Sequence, residues 1–133
     1  VNLALTKVKN FEQSAEQAIN RGALCVSDLP EGYDFVALCE RVFGELAPGV
    51  NKSYINRADT DAHNKIMTSL NAGKYIVNYS GHGTVTSWSS ASSFFSGSHA
   101  NQLTNSNLTI FTMLTCLNGY FIDRNNSFSE SAL

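Results

Sequence analysis

Lys74-Tyr-Ile-Val-Asn-Tyr-Ser-Gly-His82-Gly83 and Leu108-Thr-Ile-Phe-Thr-Met-Leu-Thr-Cys116-Leu-Asn-Gly119-Tyr-Phe121 are the two segments on which the reading of this chain turns. Each is an aromatic or β-branched run halted by a turn, the pattern of a buried strand. Each also delivers a reactive side chain at its end. If the two strands are parallel neighbours, His82 and Cys116 emerge together at the carboxyl edge of one sheet, where open α/β sheets carry their sites.

The rest of the chain supplies a context for such a sheet. Residues 1–20 have helical spacing, with Leu5, Val8, Phe11, Ala15, Ala18 and Ile19 able to share a face, although 12–21 reads equally as a connecting loop. After Gly22, residues 23–27 read as a short buried strand with Asp28 at its carboxyl end. A Leu29-Pro-Glu-Gly32 turn follows. Phe35, Leu38, Cys39, Val42, Phe43 and Leu46 then define an amphipathic helix over 33–47, stopped by Pro48-Gly49. Residues 52–57 form a more polar strand, expected nearer a sheet edge. Thr60 or Asp61 caps a helix bearing Ile66, Met67 and Leu70, and Gly73 closes it. Strand, helix, strand, helix, strand predicts an α/β fold with a parallel sheet. The Ser-rich segment 84–107, with Trp88, Phe94, Phe95 and His99, lacks a clear period and reads as a functional loop or flap. Ser129 is expected to cap a helix that is just beginning at the end of the chain.

Composition narrows the class. A 133-residue chain that is 43% hydrophobic and 15% charged can bury a core, and a net charge of −2 does not favour nucleic acid as a partner. The strongest apolar run, about ten residues near Leu108, is too short to span a membrane, which takes roughly 20 residues. No signal peptide is visible, and the start at Val1 suggests a piece of a longer chain. Cys25 and Cys39 fall on apolar faces and read as small core residues, with a disulfide between them left open. No cluster has metal-ligand spacing, so no zinc is expected, and no Asp-rich loop supports calcium. Asn51, Asn78, Asn107 and Asn125 each start an Asn-x-Ser/Thr match, but Asn78 lies inside a buried strand, against reading the set as glycosylation sites. His63 and His99 are expected to be solvated.

The chemistry at the strand ends is that of an activated thiol. A thiol attacks a carbonyl as thiolate, so a neighbouring base or positive group must draw its pKa below about 8.5. An imidazole with a pKa near 6.5 can take that proton and return one to a leaving amine. Gly81 and Gly83 let the backbone approach a substrate, and the N–H groups of Gly83 and Cys116 can face a developing oxyanion. Asn118-Gly119 lets the chain turn away after the cysteine.

The ordered set Asn71-Ala-Gly73, Val77-Asn-Tyr-Ser-Gly-His-Gly83, Trp88, Leu103-Thr-Asn105 and Thr115-Cys-Leu-Asn-Gly-Tyr-Phe121 resembles the gingipain family of cysteine peptidases, within the caspase-like group. Glycine stands three residues after the cysteine rather than two, unlike the caspase signature. The resemblance covers 23–133 and implies a three-layer α/β/α caspase-like fold with a mainly parallel sheet, truncated at its C-terminal end. Residues 1–22 then form an N-terminal helix and linker. It implies His82 as general base and acid, Cys116 as nucleophile, Gly83 and Cys116 as backbone oxyanion donors, a protein or peptide substrate, no cofactor, and a secreted or cell-surface location of a bacterial protein. The remainder of the parent chain is expected to complete the domain. A third group often orients the base. Asp28 is the candidate, with capping of the turn before Pro30 as its alternative role, and Asp59 is a weaker candidate. Trp88 either walls the cleft or pins the loop to the core. The competing expectations are a catalytically silent or processing-only domain of a larger surface assembly, and a flavodoxin-like domain that binds an anion at Gly81-His-Gly83. The last lacks the further glycine or lysine of phosphate loops.

Overall fold

The computed structural model of the protein describes residues 2–13, 19–91 and 93–133. The elements run α1 (Asn2–Gln13), a 3-10 turn (Ile19–Arg21), β1 (Ala23–Ser27), α2 (Phe35–Gly44), β2 (Lys52–Asn56), α3 (Ala62–Asn71), β3 (Ile76–Ser80), β4 (Ser87–Trp88), β5 (Phe95–Ser96), α4 (Gly97–Ala100), β6 (Ile110–Leu114) and α5 (Phe128–Ser131). Ala15 and Ala18 of the expected N-terminal helix lie outside the described residues.

β2, β1, β3 and β6 form one parallel sheet in that order, with the more polar β2 at an edge as expected. Alternation along the strands divides the core in two. Leu24 and Val26 of β1 and Val77 and Tyr79 of β3 share one cluster with Ile66 and Leu70 of α3. Ala23 and Cys25 point the other way and pack with Cys39 and Phe43 of α2. Helices therefore cover both faces, and crossovers of this kind are what parallel strands require.

Local signals terminate the helices. The Asp34 carboxylate accepts from the Ala37 N–H and starts α2. Gly73 adopts φ +77 after α3, where a Cβ would run into the Asn107 side chain. Asp61 occupies the N-cap of α3 in a left-handed conformation and makes no side-chain cap. The N-cap of the last helix is Ser127, two residues before the expected Ser129. Ser127 accepts from the Glu130 N–H, and Glu130 reaches back to the Ser127 N–H, a reciprocal capping pair that Ser129 has no partner to make. These hydrogen bonds hold the Glu130 carboxyl below its ordinary value.

Two expectations change. Cys25 and Cys39 are joined in a disulfide between β1 and α2. Each cysteine looked like a core residue in its own run, and only the docking of α2 on β1 brings them together. The described parts of segment 84–107, residues 84–91 and 93–107, pack on the core through short paired strands. β4 and β5 pair antiparallel, and Trp88 and Phe95 are fully buried. Trp88 stacks on Tyr79 at 4.7 Å between centroids and 4° between planes, and Phe95 and Phe128 pack around it. Trp88 therefore pins the segment to the core and does not wall a cleft.

Candidate active site

The register of the sheet brings the two reactive residues together. Ile76 pairs with Ile110 and Ser80 with Leu114, and the ladder continues as the Gly81 N–H donates to the Leu114 carbonyl at 3.3 Å. His82 and Cys116 each lie two residues beyond this last pair, at the carboxyl ends of the neighbouring strands. Gly83 closes the gap. A Cβ there would meet the Thr115 hydroxyl and lie 2.7 Å from the Cys116 carbonyl oxygen. The His82 and Cys116 turns thus touch through backbone that only glycine permits.

His82 is held at its peptide groups. Its N–H donates to Asp28 Oδ2 at 3.3 Å. Its carbonyl accepts from the Tyr79 hydroxyl and from the Ser89 N–H, both at 2.7 Å. Asp28 is 1% exposed and also receives the Leu29 N–H, the Tyr79 hydroxyl and Arg57 Nη1, the last at 2.8 Å. Burial alone would raise the Asp28 carboxyl. The Arg57 hydrogen bond and charge, with the Leu29 and His82 amides, outweigh it and hold the group below its ordinary value. Burial first, then the Asp28 charge, push the Tyr79 phenol far above its usual range, so it stays a donor. A Cβ on Gly81 would collide with Asp28 and Tyr79.

Asp28 therefore fixes the backbone of the His82 turn, and its carboxylate is not on the imidazole. The acidic group at the ring is Glu31, whose Oε2 lies 3.5 Å from Nε2 of His82. Sequence reasoning missed it. Its one signal was a second acid three residues after Asp28, on the same turn leaving β1. Asp59 lies elsewhere, accepting from the Asn56 amide and pairing with Lys65. Phe35 completes the surroundings of the ring, meeting His82 edge to face at 5.3 Å and 81°.

Cys116 is exposed, and among the described residues it is the free cysteine. The turn after it is made by Leu117 at φ +60 rather than by Asn118-Gly119, and the Asn118 N–H donates back to the Cys116 carbonyl at 2.8 Å. A left-handed leucine is strained and persists where surroundings enforce it. Here buried Asn118 does so. Its amide donates to the Thr84 and Ser87 carbonyls at 2.6 and 2.9 Å, tying the cysteine turn to the chain that follows His82. Among the described residues, the Gly83 and Cys116 N–H groups donate to no other backbone group. His63 and His99 lie away from the site with ring centroids 4.3 Å apart and planes tilted by 57°, a partly buried pair and not two solvated rings. Among the described residues, no group of three or more metal-ligating side chains is found.

A mainly parallel sheet flanked by helices, with a histidine turn and a cysteine turn side by side at its carboxyl edge, is the caspase-like fold of cysteine peptidases. The model for peptidase family C25 matches residues 1–133, and the chain belongs to that family of cysteine-type peptidases. It is 39% identical over 69 residues to gingipain R2 and to gingipain R1 of Porphyromonas gingivalis, covering 51% of this chain. The chain spans only 9% and 7% of those proteins. Among solved structures it is similar to the Arg-specific cysteine proteinase gingipain R, with TM-score 0.70 and 26% identity over 96% of this chain. It is also similar to the complex of P. gingivalis RgpB pro- and mature domains, with TM-score 0.73 over 95% of this chain. It spans 32% of each of those chains.

Proposed function

We propose that the chain carries the catalytic dyad of a cysteine endopeptidase, with Cys116 as nucleophile and His82 as general base and acid. The observation that carries this reading is that His82 and Cys116 each follow, by two residues, the last paired residues Ser80 and Leu114 of neighbouring parallel strands β3 and β6. Membership of family C25 supports it. His82 takes the Cys116 proton as Sγ attacks the scissile carbonyl carbon and the C–S bond forms. The oxyanion is received by the Gly83 and Cys116 N–H groups. Collapse breaks the C–N bond, and His82 gives its proton to the leaving amine. Water, deprotonated by His82, then hydrolyses the thioester and releases the acid, and the thiol recovers its proton. Glu31 orients the ring, and Asp28, Tyr79 and Arg57 position the turn that carries it.

The substrate class is protein or peptide, and the reaction calls for no cofactor. The Cys25–Cys39 disulfide supports a secreted or surface-exposed location, since disulfides persist in oxidising compartments. No helix among the described residues is long and apolar enough to cross a membrane. At the outer edge of the sheet, β6 leaves Ile110 and Leu114 39% and 47% exposed, and an apolar groove lined by Phe111, Met113 and Leu133 opens on its other face. We take this edge to be completed by further parent chain, so that residues 1–133 alone cleave peptides poorly.

A digest of a peptide library by the full-length parent protein tests the function. Cleavage by the wild type that disappears in Cys116→Ala and falls at least 100-fold in His82→Ala is expected. Identical digests by wild type and Cys116→Ala would sink it and leave a catalytically silent domain in its place.

A further inference from the structure

Two oxyanion donors carried on separate chain segments work together only if something fixes the distance between those segments. The Gly83 N–H follows β3 and the Cys116 N–H follows β6, and a donor is effective within about 2.7–3.1 Å of the oxygen it receives. The sheet alone does not supply that constraint. Its last ladder bond runs from the Gly81 N–H to the Leu114 carbonyl, two residues short of each donor. Past it, among the described residues, the hydrogen bonds that join residues 82–88 to residues 115–120 are the two from the Asn118 amide.

Asn118 is 3% exposed, and its Nδ2 donates to the Thr84 carbonyl at 2.6 Å and to the Ser87 carbonyl at 2.9 Å. A side-chain amide has two N–H donors, and two facing carbonyls use both and decide which end is nitrogen. Its Oδ1 is buried with no partner among the described residues, so the hold is made by the nitrogen. The turn it grips begins one residue after Gly83 and is closed by the Thr84 N–H on the Ser87 carbonyl at 3.0 Å. At the other end, the Asn118 N–H returns to the Cys116 carbonyl at 2.8 Å. Gly83 lies between the two segments. A Cβ there would stand 3.2 Å from the Asn118 Nδ2 and 2.7 Å from the Cys116 carbonyl oxygen. The start of α5 holds both backbones from outside, the Phe128 N–H on the Val85 carbonyl at 2.7 Å and the Ser129 N–H on the Asn118 carbonyl at 3.0 Å. Both segments therefore keep backbone anchors without the Asn118 side chain, and what its removal takes away is their direct link.

We propose that Asn118 is a positioning residue that sets the spacing of the Gly83 and Cys116 N–H groups, and with it the fit of the oxyanion hole to the tetrahedral intermediate. The inference rests on the peptidase reading of His82 and Cys116. It separates two tasks at the strand ends. Formation of the thiolate depends on His82 and needs no oxyanion donor. Acyl transfer needs both donors in place, and a misplacement near 1 Å can cost about 100-fold. Asn118 serves the second task and not the first.

The test compares Asn118→Ala and Asn118→Asp with the wild type in the full-length parent protein. Aspartate keeps the shape, loses both donors and sets a carboxylate oxygen against two carbonyls. Peptide cleavage reads the oxyanion hole. Iodoacetamide reads the thiolate, because its carbon is saturated where sulfur attacks: the S–C bond forms, iodide leaves with the bonding pair, and no oxyanion develops. In both variants kcat/KM for a peptide is expected to fall about 100-fold, while alkylation of Cys116 at pH 6 stays within about threefold of the wild type. Cleavage unchanged in either variant overturns the proposal and leaves the peptidase reading intact. Alkylation that falls in step with cleavage, through a displaced His82 or through failure to fold, also overturns it, since Asn118 then supports the whole site. Absence of Cys116-dependent cleavage in the wild type overturns the peptidase reading and this inference with it.

Discussion

Replacing Asp28 with alanine should be among the most damaging single changes away from the thiol. The carboxylate accepts the Leu29 N–H and Arg57 Nη1 at 2.8 Å, the Tyr79 hydroxyl at 3.2 Å and the His82 N–H at 3.3 Å. Its side chain is 2% exposed and that of Arg57 26%. Removing one partner of a buried ion pair typically costs about 3–5 kcal/mol, and the partial exposure of Arg57 puts this case near the lower end, about 3 kcal/mol. At a urea slope of roughly 1.5 kcal/mol/M the unfolding midpoint falls by about 2 M. Asp28→Asn keeps the shape but not the charge, so it should fall between the two. Acid gives a second readout. The folded-state pKa of Asp28 lies below its ordinary value of 3.8, so the carboxylate's contribution is complete above that value. It is lost as pH falls through the lower folded-state pKa. The stability gap between wild type and Asp28→Asn should therefore narrow as pH falls below 3.8. A loss under about 1 kcal/mol in Asp28→Ala, or a gap that stays constant into acid, would refute this account of the His82 turn.

Three further outcomes are expected. Cys25→Ser combined with Cys39→Ser removes a cross-link across 14 residues and should cost about 3 kcal/mol in urea unfolding, with no added loss on treatment with a reductant. Gly83→Ala places a Cβ against the Cys116 carbonyl oxygen at 2.7 Å, so full-length enzyme bearing it should lose at least about 100-fold in peptide kcat while keeping its circular dichroism spectrum. Burial, and then the nearby His63, lower the pKa of His99 below 6.5, so the folded state prefers it neutral. Stability should drop as pH falls below about 6.5 and the unfolded chain takes up the proton; the fall in melting temperature from pH 7 to pH 5 should shrink in His99→Gln.

Much of this architecture was legible before any coordinates. The runs ending at His82 and Cys116 carry the strong period and composition of buried strands, and the glycines flanking His82 mark where backbone must come close. Parallel order then follows from the helices between strands. What escaped the reading is tertiary. Glu31 reaches the imidazole only because β1 lies beside β3, and nothing in Pro30-Glu31-Gly32 announces that. The disulfide depends on how α2 docks. The turn at Leu117 is imposed by Asn118 bonding to carbonyls of Thr84 and Ser87, against the local preference that points to Gly119. Trp88 looked ambiguous because a Ser-rich context hides the aromatic cluster of Tyr79, Phe95 and Phe128 that receives it.

The central claim is that His82 activates Cys116, and the rate at which that thiol is alkylated addresses it most directly. The disulfide removes Cys25 and Cys39 from competition, so modification by iodoacetamide at pH 6 reports Cys116 itself. A rate at least tenfold higher in the wild type than in His82→Ala is the result predicted from the paired ends of β3 and β6. Equal rates in the two proteins would contradict it.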